Sequence, residues 1–188
     1  MRISKEPEVR KQEIIDAAMG VFAEKGYEAT TMKDIAQAAH VVPGLCYHYF
    51  QNKHALYQTA VTKYARTCAR PMAELLEDTR LPLADCLDQM EALTLAQEGN
   101  YPYQSFFNGQ GNELFHKQLE FYMAEEVAPA LERYLRCRME AGEVRGYDPA
   151  LLTRFVLGGM TEVMSAEHLP AADRTAFLRQ CLALLLAP

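Results

Sequence analysis

No uninterrupted apolar run in this 188-residue chain approaches the roughly 18 residues needed to cross a bilayer. The first dozen residues, MRISKEPEVRKQ, hold no apolar stretch that would serve as a signal-peptide core. The expectation is a cytoplasmic protein without a membrane partner. The five cysteines, Cys46, Cys68, Cys86, Cys137 and Cys181, form an odd set with no Cys-x-x-Cys pair and no metal-like spacing, so each thiol is expected to pack as a small hydrophobe. Sustained apolar/polar alternation and clusters of β-branched residues are missing too, which argues against a sheet. Positive charge is short: 19 Lys and Arg face 25 Asp and Glu, a net charge of -6, and taken whole this argues against a nucleic-acid binder. There is no nucleophile–base–orienter grouping, no glycine-rich phosphate loop and no metal quartet. An enzyme, a cofactor and a metal site are therefore not expected.

What is present is unevenly spread. Residues 1–70 carry a net charge of +3 and residues 71–188 one of -9, as expected for a small basic module that meets a polyanion, joined to a larger acidic one. Periodicity of 3.6 residues recurs throughout, so the fold class is all-α, with about nine helices in total. In the first helix Ile14, Ala17, Ala18, Val21 and Phe22 form one stripe, with Pro7 at its entrance and Gly26 at its end. Thr31 opens a second helix as N-cap, with Asp34 completing a capping box and Ile35, Ala38, Ala39 and Val42 continuing its apolar face. After a Val-Val-Pro-Gly break, Cys46 and Phe50 lie four apart and share the inward face of a third helix. Gly44, Leu45 and His48 then face away, with Tyr47 and Tyr49 at the margins.

Two short helices joined by a tight turn behind a longer one make a helix-turn-helix, over about residues 31–52. Its second helix presents its N-terminal part to the major groove of duplex DNA. Asn52 caps the next helix, and Lys53 then sits beside free backbone N–H groups suited to a phosphate. Thr31 and Lys33, at the start of the second helix, complete the set of candidate DNA contacts.

These residues also resemble a known family. Arg10, Ile14, Ala17, Ala18, Phe22, Gly26, Tyr27, Thr30, Thr31, Ile35, Ala36, Ala38, Ala39, Val41, Gly44, Tyr47, Tyr49, Phe50, Lys53 and Leu56 match, in order and spacing, the N-terminal signature of the TetR family of bacterial transcriptional regulators. Residues 142–160, GEVRGYDPALLTRFVLGGM, resemble the segment leading into that family's dimerisation helices. The resemblance implies a homodimer with an N-terminal DNA-binding domain and a divergent C-terminal domain that binds a small effector. In that frame residues 1–52 are the DNA-binding domain, 53–78 a connecting helix, and 79–188 the effector and dimer domain. The resemblance further implies phosphate contacts from Tyr47, Tyr49 and Lys53, close approach at Gly44, and base readers among Val42, Pro43, Gly44, Leu45 and His48. Here the sequence departs from the pattern: Val42 stands for the usual Ser or Thr, Pro43 for Lys or Arg, Leu45 for Ser or Thr, His40 for Gly and His54 for Glu. The recognition face has lost hydrogen-bonding groups.

In the remaining two thirds, the last two helices carry broad apolar faces: Leu152, Phe155, Val156, Gly159, Met160 and Val163 on one, and Phe177, Leu178, Cys181, Leu182 and Leu185 on the other. They are expected to pair with their copies across a two-fold axis as a four-helix bundle. The stretch 100–123, with its aromatics, glycines and amides, suits the wall of a mostly apolar cavity. Tyr103, Phe106, Phe107, Phe115, Tyr122 and Met123, joined by Met90, are its expected lining. Glu113, His116 and Glu120 share a face but lack the second copy that a bundle metal site needs, so a solvated face explains them better. The function expected is that of a ligand-responsive repressor binding operator DNA; the alternative is a helical ligand- or partner-binding dimer with weak or lost specific DNA readout.

Overall fold

The computed structural model describes residues 6–97, 103–107, 112–166 and 168–188. Among the described residues there are no strands, eight helices of seven residues or more and one single-turn helix. In chain order these are α1 (Pro7–Lys25), α2 (Met32–Ala38), α3 (Pro43–Tyr49), α4 (Lys53–Glu77), α5 (Leu83–Gln97), the single turn α6 (Gln104–Phe107), α7 (Glu113–Glu140), α8 (Pro149–Met164) and α9 (Ala171–Leu186). None of the described helices is long and apolar enough to cross a membrane.

The chain divides into two compact units, residues 1–64 with 102–119, and residues 65–101 with 120–188. In the first unit, Pro7 starts α1 at a position where its missing N–H is harmless. Gly26, at φ 79°, ends the helix by donating its N–H to the Phe22 carbonyl. Ile14, Ala18 and Phe22 are fully buried on its inner face. The Thr30 hydroxyl donates to the Gly26 carbonyl at 2.7 Å, which fixes the turn before α2.

A reciprocal capping box then starts α2. The Thr31 hydroxyl oxygen accepts from the Asp34 N–H, and the Asp34 carboxylate accepts from the Thr31 N–H at 2.8 Å. Lys25 binds the same carboxylate at 2.7 Å. The Lys25 and Thr31 side chains, then the Thr31 backbone, hold the Asp34 carboxyl well below the usual range. A depressed carboxyl favours the folded state above its ordinary pKa of about 4, and this support is lost as the pH falls below that value. Thr31→Ala, which removes half of the box, is expected to lower stability by about 1 kcal/mol in a urea titration.

Around these helices the first unit gathers an aromatic cluster. Phe22, Tyr27 and Tyr57 meet with ring centres 5.0 to 5.6 Å apart, and Phe115 joins Tyr27 and Tyr57 at 5.3 and 5.1 Å. Phe106 lies 5.8 Å from Phe115 and 5.0 Å from Phe107, which stacks on Tyr64. Edge and offset contacts of this kind add to area burial.

The core of the second unit is mainly aliphatic. Leu76, Leu87, Met90, Leu131, Leu135, Leu152, Val156, Leu182 and Leu186 form one cluster with Tyr134. Asp148 caps α8 by accepting from the Leu151 N–H at 2.8 Å.

Candidate nucleic-acid interface

Helix α3 is short, and its two sides have opposite characters. Cys46 is fully buried and Phe50 nearly so, which seats the helix on its neighbours. Burial also pushes the Cys46 thiol up, which keeps it in the unreactive protonated form. On the other side Val42, Pro43, Gly44, Tyr47 and His48 are exposed, while Leu45 and Tyr49 are half-buried. Tyr47 is 55% exposed, and the His48 and Tyr49 rings meet edge-on at 5.1 Å. Thr31 and Lys33 at the start of α2 are exposed as well.

His40 supplies the turn between the two short helices at φ 54°, a left-handed conformation that histidine tolerates better than most residues. A Cβ at Gly44 would meet nothing within 4 Å. The fold itself therefore does not require glycine there.

Lys53 is held more firmly than its sequence position implies. Its ammonium donates to the carbonyls of Tyr27 at 2.7 Å and Glu28 at 3.3 Å, and lies 4.3 Å over the centre of the Tyr27 ring. Two of its three N–H donors thus tie the start of α4 to the turn after α1. The helix start is capped by the Asn52 side chain, which accepts from the Ala55 N–H at 2.8 Å. The Tyr27 phenol is raised by its burial and by Glu28. The anchoring role of Tyr27 and the Lys25–Asp34 pair were missed from sequence. Their partners lie 26 and 9 residues apart, and no periodicity signals such pairs.

The residues expected to form an effector wall fall in both units. Phe106 and Phe107 are buried, and Tyr103 and Phe115 half-buried, in the aromatic cluster of the first unit. Met90 and Met123 belong to the core of the second unit, where Tyr122 is half-buried beside Phe121. Residues 100–102 and 108–111 of that stretch lie outside the described residues. A shallow depression of about 20 Å³, open to solvent, is lined by Leu87, Met90, Glu91, Thr94, Met160, Thr175, Leu178, Arg179 and Leu182. It gathers Met90 with three residues expected at the dimer face.

Those dimer-face residues also divide. Leu152, Val156 and Leu182 are buried in the chain's own core, with Met160 and Leu185 packed against it. Val163 and Leu178 are half-buried, whereas Phe155, Gly159, Phe177 and Cys181 are exposed. Two further exposed leucines, Leu151 and Leu184, were not singled out from sequence. They are 69% and 75% exposed.

Residues 14–60 match the family model for bacterial regulatory proteins of the tetR family. Over 47 residues, 25% of this chain, the sequence is 45% identical to the HTH-type transcriptional repressor KstR2 of Rhodococcus jostii (strain RHA1), of which this segment spans 23%. The chain thus spans about a quarter of the length of the curated relatives it matches. A TetR-family transcriptional regulator from Mesorhizobium loti MAFF303099 has a TM-score of 0.73 at 17% identity, over 98% of this chain and 100% of that one. SmeT, the repressor of the Stenotrophomonas maltophilia multidrug efflux pump SmeDEF, has a TM-score of 0.66 at 18% identity, over 95% and 90%. At these identities the likeness establishes a shared fold alone.

Proposed function

We propose, from the match of residues 14–60 to the model for bacterial regulatory proteins of the tetR family, that the protein is a cytoplasmic, ligand-responsive transcriptional repressor that binds operator DNA as a homodimer. The observation that carries the reading is the two-sidedness of α3: Cys46 and Phe50 are buried, and Val42, Pro43, Gly44, Tyr47 and His48 face solvent. A short helix with a fixed inner side and an exposed N-terminal half is what entry into the major groove requires. Repression is favoured because KstR2, 45% identical over 47 residues, is named a repressor.

In this reading residues 1–52 form the DNA-binding domain, residues 53–78 the connecting helix, and residues 79–188 the effector and dimer domain. Tyr47 and Tyr49 contact phosphates. Lys53 positions the start of α4, whose backbone N–H groups face the DNA backbone. Helix α4 contributes residues to both units. Effector binding between the later helices shifts the population toward a conformation in which α4 moves the recognition helices away from the roughly 34–36 Å spacing of successive major grooves.

The test is a gel shift with the DNA upstream of the protein's own gene and an unrelated duplex, each at two salt concentrations. A specific complex should outlast the unrelated one as salt rises. Equal loss of both would count against the proposal. Lys33→Ala should weaken binding to both duplexes and flatten the salt dependence of log K by about 0.9, the contribution of one phosphate contact.

A further inference from the structure

The first turn of α3 breaks a local rule. Val42 occupies the N-cap and makes no side-chain bond to the helix's free N–H groups, at a position where Ser, Thr, Asp or Asn would stabilise the helix. Its side chain is not used in the core either, being 61% exposed. Pro43, Gly44 and Leu45 follow, so four successive residues at the leading end of the helix carry no side-chain donor or acceptor. Backbone groups offer little more. Pro43 has no N–H, and that of Leu45 is taken by the Val42 carbonyl at 2.9 Å.

The surroundings nonetheless suit a polyanion. Asp34 is the one carboxylate among residues 31–54, and Lys25 and Thr31 hold it. Major-groove edges are read either by hydrogen bonds or, at thymine, by apolar contact with the C5-methyl group. Only the second route is open to side chains 42–45.

We infer that Val42 and Leu45 read thymine methyl groups in each operator half-site, with His48, three residues beyond Leu45, supplying a polar contact next to them. This rests on the DNA-binding reading above and adds its specificity determinant. Thymine at these positions is then preferred over cytosine because of its methyl group.

The experiment uses the full-length protein and a duplex that it selects from a randomised pool. Each thymine is replaced in turn by uracil, which deletes the methyl group and keeps the base pairing. At one or two positions per half-site, uracil should weaken binding about four-fold for each methyl removed. Substituting both symmetric half-sites should give about fifteen-fold. Val42→Ala should bind more weakly and lose the penalty at its own position, while Val42→Thr, which keeps one methyl group and adds a cap, should retain part of it. Circular dichroism checks that both variants fold. Uracil at every thymine with unchanged affinity would overturn the inference while leaving DNA binding intact. So would a full penalty that persists in Val42→Ala and in Leu45→Ala. If no duplex is enriched over unrelated DNA, the DNA-binding reading itself fails, and this inference with it.

Discussion

Replacing Arg138 with methionine is expected to lower the thermal midpoint by about 10 °C. Arg138 is 8% exposed and lies near the end of α7. One nitrogen donates to the Glu143 carboxylate at 2.9 Å and another to the Thr79 carbonyl. The second oxygen of Glu143 accepts from the Leu83 N–H at 3.2 Å. A single side chain therefore joins the turn before α5 to the loop before α8. Next to it the Tyr134 hydroxyl donates to the Leu81 carbonyl at 2.9 Å, and burial pushes the Tyr134 phenol far above its ordinary value. That group remains a donor at every working pH.

Removing one member of a buried pair leaves the other charge without its partner, at a cost of about 3–5 kcal/mol. The Glu143 side chain is 38% exposed, so water relieves part of this and the lower end applies. For a chain of this size each kcal/mol moves the midpoint by about 2–4 °C. Arg138→Lys should fall between wild type and Arg138→Met, because an ammonium keeps the charge and loses the planar fork. A calorimetric midpoint within about 2 °C of wild type for Arg138→Met would show that the network adds little.

How much of this was legible from sequence depended on the range of the interaction. Local rules read well. Pro7 marks a helix start by its missing N–H, and Gly26, the Thr31–Asp34 box and Asn52 mark helix ends through bonds that span three or four residues. The spacing of Cys46 and Phe50 also set the inner side of α3, because a helix with one apolar stripe has a defined phase. By contrast, the two last helices carry apolar residues both on the side packed in the chain's own core and on the exposed side, so the pattern does not say which side faces which neighbour. Of the residues expected at the dimer face, Leu152 and Val156 are buried in the chain's own core while Phe155 is exposed, as are the neighbouring Leu151 and Leu184. Of the residues expected in the effector wall, Phe106, Phe107 and Phe115 cluster with Tyr57 and Tyr64, about 50 residues earlier. Composition identifies an aromatic cluster without naming its partners. Lys53 illustrates the same limit: its helix-start position was plain, and its hold on the Tyr27 carbonyl was not.

A double substitution, Phe155→Asp with Leu184→Asp, is expected to produce a monomer that binds operator DNA on the order of 10²–10⁴-fold more weakly. On α8, Leu151 and Phe155 are 69% and 67% exposed; on α9, Phe177 and Leu184 are 54% and 75% exposed. Gly158 and Gly159 lie exposed between the turns of α8, and a Cβ at either would meet nothing within 4 Å, which leaves room for a close helix approach. Four large exposed apolar side chains on this pair of helices suit an association surface. In the proposed homodimer a second copy of the same two helices is expected to cover it in a closed, two-fold manner. Aspartate at two of these positions places like charges opposite each other across such an axis. Neither residue is part of the chain's own core, so the thermal midpoint of the isolated chain should hold while the mass in light scattering halves. DNA affinity should then fall because each module binds its half-site alone, without the high effective concentration that linkage provides. A wild-type protein that is monomeric at micromolar concentration would remove the basis for this outcome. A double variant that remains dimeric would move the interface to another face.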